Sequence, residues 1–398
     1  MKKIFTLVLS IFLIMSCQDD NSSSDFNNGN DKYLISQLQA ENIAKKVIEG
    51  TANTSEITLK LNTIYDQNQT PSIYVFNTKK QNKDYFILIS GDKRTEDIVL
   101  GFGKDKIDLE DAPEQLKYWL SKYEDLINNF RKKSIEDITK VNTFEKRVNQ
   151  IASKYNVLEN IDYYKSNQKS TYVYTVPFVT TRWNQGCVYN TYSPEQNSSP
   201  SLSNCEKSLP CGKAYSGCVS TCLSQVVNYY QSMPAYDYSL LYDSYDESHL
   251  DTAAGNEVGK LMKRVADIMR MNYTCTGSGS YASYYLPRYS TYTSLGFTSP
   301  LKKYYFNGTD NVLFSNIKNE IESKNIVVFS GQDTVAGAGH LWLADGGYFI
   351  DSLTGGTSYL HFNWGWGGKA DGWFAYADFN SGKYNFNSGT TAFYNFRK

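Results

Sequence analysis

Cys218 is the residue best placed to do chemistry. It follows Gly217 and opens the run Val219-Ser220-Thr221-Cys222-Leu223-Ser224-Gln225-Val226-Val227-Asn228-Tyr229-Tyr230. Val219, Leu223, Val226, Val227 and Tyr230 recur at helical spacing, and Ser232 and Pro234 close the run, so the spacing predicts a buried helix with Cys218 at its start. Unpaired N–H groups and the helix dipole there favour a thiolate. A free thiol titrates at about 8.5, so such a position activates it. Alone, the same cysteine also reads as a small hydrophobe in a packed helix. A nucleophile needs a base and an oxyanion donor as well.

The base must come from His249, His340 or His361, the only histidines. His340 stands where a glycine-rich loop (Gly331-Gln332-Asp333-Thr334, then Ala336-Gly337-Ala338-Gly339) meets a strand, His340 to Gly346. A ring there is fixed on one side and open on the other, as a general base requires. Ile326 to Phe329 reads as the buried strand before that loop. Leu360 to Trp364 reads as a third strand entering a glycine turn. Period two puts His361 and Asn363 on one face and Phe362 and Trp364 on the other. A side chain there suits the orienting third member of a triad. Gln185, in Arg182-Trp183-Asn184-Gln185, offers an amide donor for an oxyanion.

These residues need a scaffold, and 398 residues suffice for two or three domains. Net charge is -1, which argues against a nucleic-acid partner. Aromatic residues make up 15%, too many for a disordered chain. Residues 1–16 read as a signal peptide: Lys2 and Lys3, then an apolar run from Ile4 too short to span a membrane. It ends Leu13-Ile14-Met15-Ser16-Cys17, which resembles a bacterial lipobox, and the resemblance implies Cys17 as the lipidated residue. Residues 17–31 form a Ser/Asn/Asp tether. This predicts an exported protein, an outer-membrane or cell-surface lipoprotein released after processing or held there by acyl chains.

Residues 32–130 read as a small α+β domain. A helix is predicted from Ile35 to Ile48, strands at Ile73–Asn77, Tyr85–Ser90 and Ile98–Phe102, and a second helix from Pro113. Leu116, Trp119, Leu120, Tyr123 and Ile127 make that helix's apolar face, and no residue of this domain joins a catalytic constellation. Residues 131–175 read as a helical segment and an exposed processing linker, with cleavage between about Val157 and Val176. Residues 176–398 form the second domain. Export permits disulfides. Beside Cys17 and Cys218 there remain Cys187, Cys205, Cys211, Cys222 and Cys275, an odd number. A staple within the Gly186 to Cys211 loop is expected, and no metal site or cofactor.

Gly217-Cys218-Val219-Ser220-Thr221, Gly339-His340 with Asp345-Gly346, and Phe362-Asn363-Trp364-Gly365-Trp366-Gly367-Gly368 together resemble the streptopain family of papain-like cysteine peptidases. Tyr74-Val75-Phe76-Asn77, Ile87 to Arg94 and Leu116 to Leu120 resemble that family's inhibitory propeptide. The resemblance implies an α+β fold: a papain-like domain with a helical part and an antiparallel β part, preceded by the small α+β propeptide domain. It implies a zymogen of a cysteine endopeptidase acting on proteins or peptides, with its own propeptide as intramolecular inhibitor. By position it makes Cys218 the nucleophile and His340 the base. It sets the Trp364 indole against that histidine with Asn363 alongside, and leaves Gln332 and Gln185 as alternative oxyanion donors. It assigns substrate contacts to Ser278, Gly279 and Ser280 in a Ser/Gly loop, to Gly339 and to Trp366. Cys222, Leu341 and the long Cys-bearing insertion depart from the family pattern. A catalytically silent peptide-binding lipoprotein and a papain-like acyltransferase are the competing functions.

Overall fold

The structure, a computed structural model, describes residues 31, 33–49, 58–80, 82–95, 98–132, 172–305, 311–332, 339–350, 358–376 and 390–398. The leader with Cys17, the tether to residue 30 and the linker from 133 to 171 lie outside them.

The first domain is the expected α+β unit. Helix α1 (Gln37–Glu49) buries Ala40, Ile43, Ala44 and Val47 beside the strands. Strands β1 (Lys60–Tyr65), β2 (Pro71–Lys80), β3 (Lys83–Ser90) and β4 (Val99–Gly103) form an antiparallel meander. The sequence reading omitted β1. Its residues are only half-buried, so it lacks the dense apolar signal of a central strand. Helix α2 (Glu114–Arg131) starts after Pro113 and buries the predicted stripe.

The second domain opens with β5 (Tyr172–Thr175), paired antiparallel with Gly347–Ile350. The end of the supposed exposed connector is therefore part of the sheet. Helices α3 (Cys218–Tyr230) and α4 (Ala253–Ile268) follow, then the hairpin of β6 (Asn272–Thr274) and β7 (Gly277–Gly279). The predicted Ser/Gly loop is thus mostly strand. Short helices α5 (Ala282–Tyr285) and α6 (Tyr289–Ser294) lead to β8 (Lys302–Tyr305) and α7 (Asn311–Glu322). The chain closes with β9 (Val327–Gln332), β10 (Gly339–Ile350), β11 (Ser358–Asn363), β12 (Gly372–Tyr376) and β13 (Thr390–Tyr394). Gly331 and Gln332 belong to β9, not to the loop that the sequence suggested. Helix α3 stops where Gln231 turns left-handed, at φ 46°, before Ser232 and Pro234.

All the main strands join one antiparallel sheet in the order β1-β2-β3-β4-β12-β11-β10-β9-β13-β8. The domains meet within it: Phe102 pairs with Trp373 and Gly101 with Phe374. Glycine is required at this joint, because a Cβ on Gly101 would lie 2.9 Å from Phe374 Cδ1. Strand alternation then sorts β10 between two cores. Trp342 and Ala344 pack in the core that contains the first domain, whereas Leu341 and Leu343 pack in the core that contains α3 and α4.

Two disulfides staple the cysteine-bearing insertion. Cys187–Cys211 closes it on itself, and Cys205–Cys275 ties it to the turn of the β6–β7 hairpin. Cys187 and Cys211 lie near Glu247, but their sulfurs are consumed by the disulfide and cannot ligate a metal. Removing a cross-link frees the unfolded chain. Replacing Cys205 and Cys275 together by alanine should lower stability by about 2–4 kcal/mol in urea unfolding under oxidising conditions. An unchanged midpoint would show that the staple does not restrain the hairpin.

Candidate active site

Cys218 occupies the first turn of α3, as its spacing predicted. Gly217 before it has φ +86°, and a Cβ there would fall 2.4 Å from Met271 Cε and 2.6 Å from the Ser278 carbonyl. Only glycine permits the turn that delivers Cys218 onto the helix at this distance from β7. The cysteine opens into a cleft of 720 Å³ that it shares with His340, Gln185 and Trp366. Gly277, Ser278, Gly279 and Ser280 form one wall of that cleft. Gln185 is anchored there through its carbonyl, which accepts from Ser216 N at 2.9 Å. Gly339 neighbours His340 in β10 and pairs with Gln332 in β9. The Gln332 side chain lies outside the described residues.

The first domain enters the same cleft through residues that the sequence reading did not single out. Gln115, fully buried in the first turn of α2, accepts from Trp366 Nε1 at 3.0 Å and reaches to 3.5 Å from the Leu341 carbonyl. Its side chain also lies close enough to the Cys218 thiol to favour the ionised form. Three residues on, Tyr118 lies beside His340, with ring centroids 6.4 Å apart. Its hydroxyl hydrogen-bonds Thr390 Oγ1 at 3.0 Å. Gly331 leaves room for this ring, since a Cβ there would come within 2.3 Å of it. Strand alternation puts His340 on the Trp342 face, towards α2, while Cys218 belongs to the core of Leu341. The sequence carried one sign of this: a glutamine and a tyrosine, three apart, beside the apolar stripe of α2.

This packing overturns one electrostatic expectation. Burial pushes the Cys218 thiol above its ordinary range. Hydrogen bonds from the backbone at Leu341, Val219 and Cys218 and from the Gln115 side chain pull the other way without winning. With the first domain in place, position at a helix start does not yield a thiolate, because desolvation outweighs it. Cys222 is also buried and also a thiol. Burial, then the neighbouring Cys218, raise it well above its ordinary value.

Asn363 and Trp364 brace the site from behind. Asn363 Nδ2 donates to the Thr181 carbonyl at 2.8 Å and to Gln225 Oε1 of α3 at 3.2 Å, while its Oδ1 accepts from Gly365 N at 3.0 Å. It thereby fastens the end of β11 to the helix of Cys218. Trp364 is fully buried among Trp342, Phe362 and Phe374, and its Nε1 donates to the Ala370 carbonyl at 3.0 Å. Trp366 lines the cleft with His340, and the Tyr118 ring lies beside the histidine. Trp364 packs in the core of Trp342, the face of β10 to which alternation also assigns His340.

The other histidines have separate partners. His249 caps a surface turn with Asp246 at 2.9 Å. His361 Nδ1 lies 2.7 Å from Asp345 Oδ1. Asp345 sits at a β-bulge in β10, where the register with β11 slips between Ala344 and Gly346. The bulge re-aims its carboxylate, whose Oδ2 accepts from Val179 N at 3.0 Å. Burial lowers the His361 pKa, but attraction and a hydrogen bond from Asp345 outweigh it, and the net shift is upward. Burial also pushes Asp371 nearby up to about 7, although Trp364 N donates to it at 2.9 Å.

Comparison with known proteins follows the same division. Residues 231–374 match the Peptidase C10 family, and residues 32–127 match the Spi protease inhibitor family. The thiol protease/hemagglutinin PrtT of Porphyromonas gingivalis is 24% identical over 370 residues, spanning 85% of this chain and 38% of that protein. The chain thus spans well under half the length of this curated relative. A prointerpain A fragment from Prevotella intermedia superposes with TM-score 0.55 at 19% identity, over 84% of this chain and 98% of the fragment. The two-part α+β fold is common to both.

Asp371 makes a pH prediction. Its carboxyl is harder to ionise folded than unfolded, so it favours folding fully below about pH 4 and loses that contribution as pH rises through about 7. His361, raised as well, acts in the same direction. The thermal midpoint should fall between pH 4 and 7.5, and Asp371→Asn, which keeps the acceptor for Trp364 N, should reduce that fall. An equally steep fall in the variant would refute the assignment.

Proposed function

We propose that this chain is the zymogen of a cysteine endopeptidase, with a Peptidase C10 region held inactive by the inhibitor-type region ahead of it. The observation that carries the proposal is one cleft holding Cys218 on a glycine-preceded helix start, His340, and the intruding Gln115 of the first domain. Removal of the first domain uncovers Cys218 and takes Tyr118 away from His340. The two then form an imidazolium–thiolate pair.

The thiolate attacks a substrate carbonyl, and the negative charge passes to the carbonyl oxygen. The Cys218 backbone N–H and the Gln185 amide stabilise that oxygen. Gln185 is supported by its place in the cleft of Cys218, and Gln332, whose side chain lies outside the described residues, stays the alternative donor. His340 gives its proton to the leaving amine, then takes one from water as the water attacks the thioester. Acid product leaves and the thiol is restored. Asn363 holds β11 and α3 in register as a positioning residue. The substrate lies along β7, where Ser278 Oγ is buried with no hydrogen-bond partner among the described residues. Gly339 and Trp366 flank His340 and complete the binding surface.

Export follows from the leader, with Cys17 as lipid anchor at the outer membrane or cell surface. Growth with a radiolabelled fatty acid should label the wild type and not Cys17→Ala. Processing falls before Tyr172, since β5 is already built into the sheet.

Incubating purified precursor with reductant should yield a new N-terminus between about Val157 and residue 171, together with peptide cleavage. Cys218→Ala should do neither; activity in that variant would end the proposal. Gln115→Ala removes contacts worth roughly 1–3 kcal/mol in the inhibited form, so its precursor should mature faster than wild type. In the intact chain, iodoacetamide at pH 7 should alkylate Cys218 at least ~10-fold more slowly than after processing, because burial keeps the thiol protonated.

A further inference from the structure

Beyond the Cys218 cleft lies a second cavity of 300 Å³, formed by the end of α4 and by α6. Arg270 and Tyr285 line both, so the two are adjacent. Arg264, Arg270 and Arg288 all face the second cavity. None of the three makes an ion pair among the described residues. The one carboxylate there, Asp267, is occupied: Lys263 Nζ binds both its oxygens, at 2.6 and 2.7 Å. Two of the guanidiniums, those of Arg288 and Arg270, are instead held by aromatic faces. Arg288 stacks 3.8 Å above the Tyr284 ring, and Arg270 lies 5.3 Å from the Tyr285 centroid.

A guanidinium stacked by its face keeps its N–H edge available for a carboxylate fork. Proximity to the α4 C-terminus accounts for cations at 264 and 270. It does not account for the stacked Arg288 arriving from α6 at the same cavity. We infer that this cavity is an acidic-residue subsite, which selects peptide substrates carrying Glu or Asp a few residues from the scissile bond. The inference rests on the peptidase reading. Free anion binding is less favoured, because the cavity shares two walls, Arg270 and Tyr285, with the groove along which a peptide would run.

Paired fluorogenic peptides test it, each pair differing only in Glu against Gln on one flank or the other of the cleaved bond. With the processed protein, one Glu peptide should exceed its Gln twin in kcat/KM by about 10-fold, three partly exposed charge contacts together being worth on the order of 1.5 kcal/mol. The ratio should approach one in Arg264→Gln/Arg288→Gln and at about 0.5 M salt. Equal rates within both pairs, or a ratio that survives in the double variant, overturn the subsite. Inorganic phosphate that abolishes the ratio at concentrations too low to screen would mark a phosphate site instead, and would also overturn it. If no peptide of either kind is cleaved, the peptidase reading fails separately. The subsite is then decided by fluorescence anisotropy with labelled hexaglutamate and hexaglutamine on full-length Cys218→Ala, whose second cavity is built only from residues 264–294. Binding of hexaglutamate alone, lost in the double arginine variant, supports it; no difference overturns it.

Discussion

Two backbone pairings, Phe102 with Trp373 and Gly101 with Phe374, make one sheet of two domains. Much else depends on them. They bring the floor of the first domain flush with β10–β12, so that α2 lies across both. Tyr123 then bonds the Leu100 carbonyl on one side of the joint and the Ala375 carbonyl on the other, at 2.7 and 2.9 Å. Trp119 packs edge-on against Trp342 and Phe362. With the helix fixed by these contacts, its first turn can only lie over Cys218. Cover over Cys218 is thus a property of the fold's core as well as of the few side chains in the cleft.

The grip is reinforced around the glycine turn after Trp364. Trp366 meets Gln115, Lys369 pairs with Asp111, and Ala370 N donates to Asp105. One short segment of the second domain therefore carries both the cleft wall and a latch to the first. This couples the state of the first domain to the shape of the site over a few residues, without needing a long-range pathway.

Periodicity and punctuation made most of this legible. The α3 stripe and Gly217 located Cys218 on a helix start; alternation in β11 separated Asn363 from Trp364 correctly. Local pattern failed where long-range packing decides. The Gln115–Tyr118 spacing marks a polar edge on α2, but not that Gln115 will cross 226 residues of sequence to Leu341. The rise in the Cys218 pKa is likewise a consequence of burial, which long-range packing decides, and no property of the segment Gly217–Cys218 contains it. Trp364 and Trp366 are alike in sequence and two apart; the positive φ of Gly365, at 72°, turns the chain so that one enters the core and the other the cleft. The arginine cavity escaped notice because its members come from two separate helices with no motif between them.

The joint between β4 and β12 has a further consequence. In the intact chain β12 is an interior strand, flanked by β11 and β4. Loss of the first domain turns it into an edge. Backbone donors and acceptors of Trp373 and Phe374, satisfied until then by the first domain, become a template for any extended segment, including the same strand of another molecule. Under the proposed maturation, the cut that clears the cleft would also leave β12 an adhesive border, a built-in route to strand-mediated self-association.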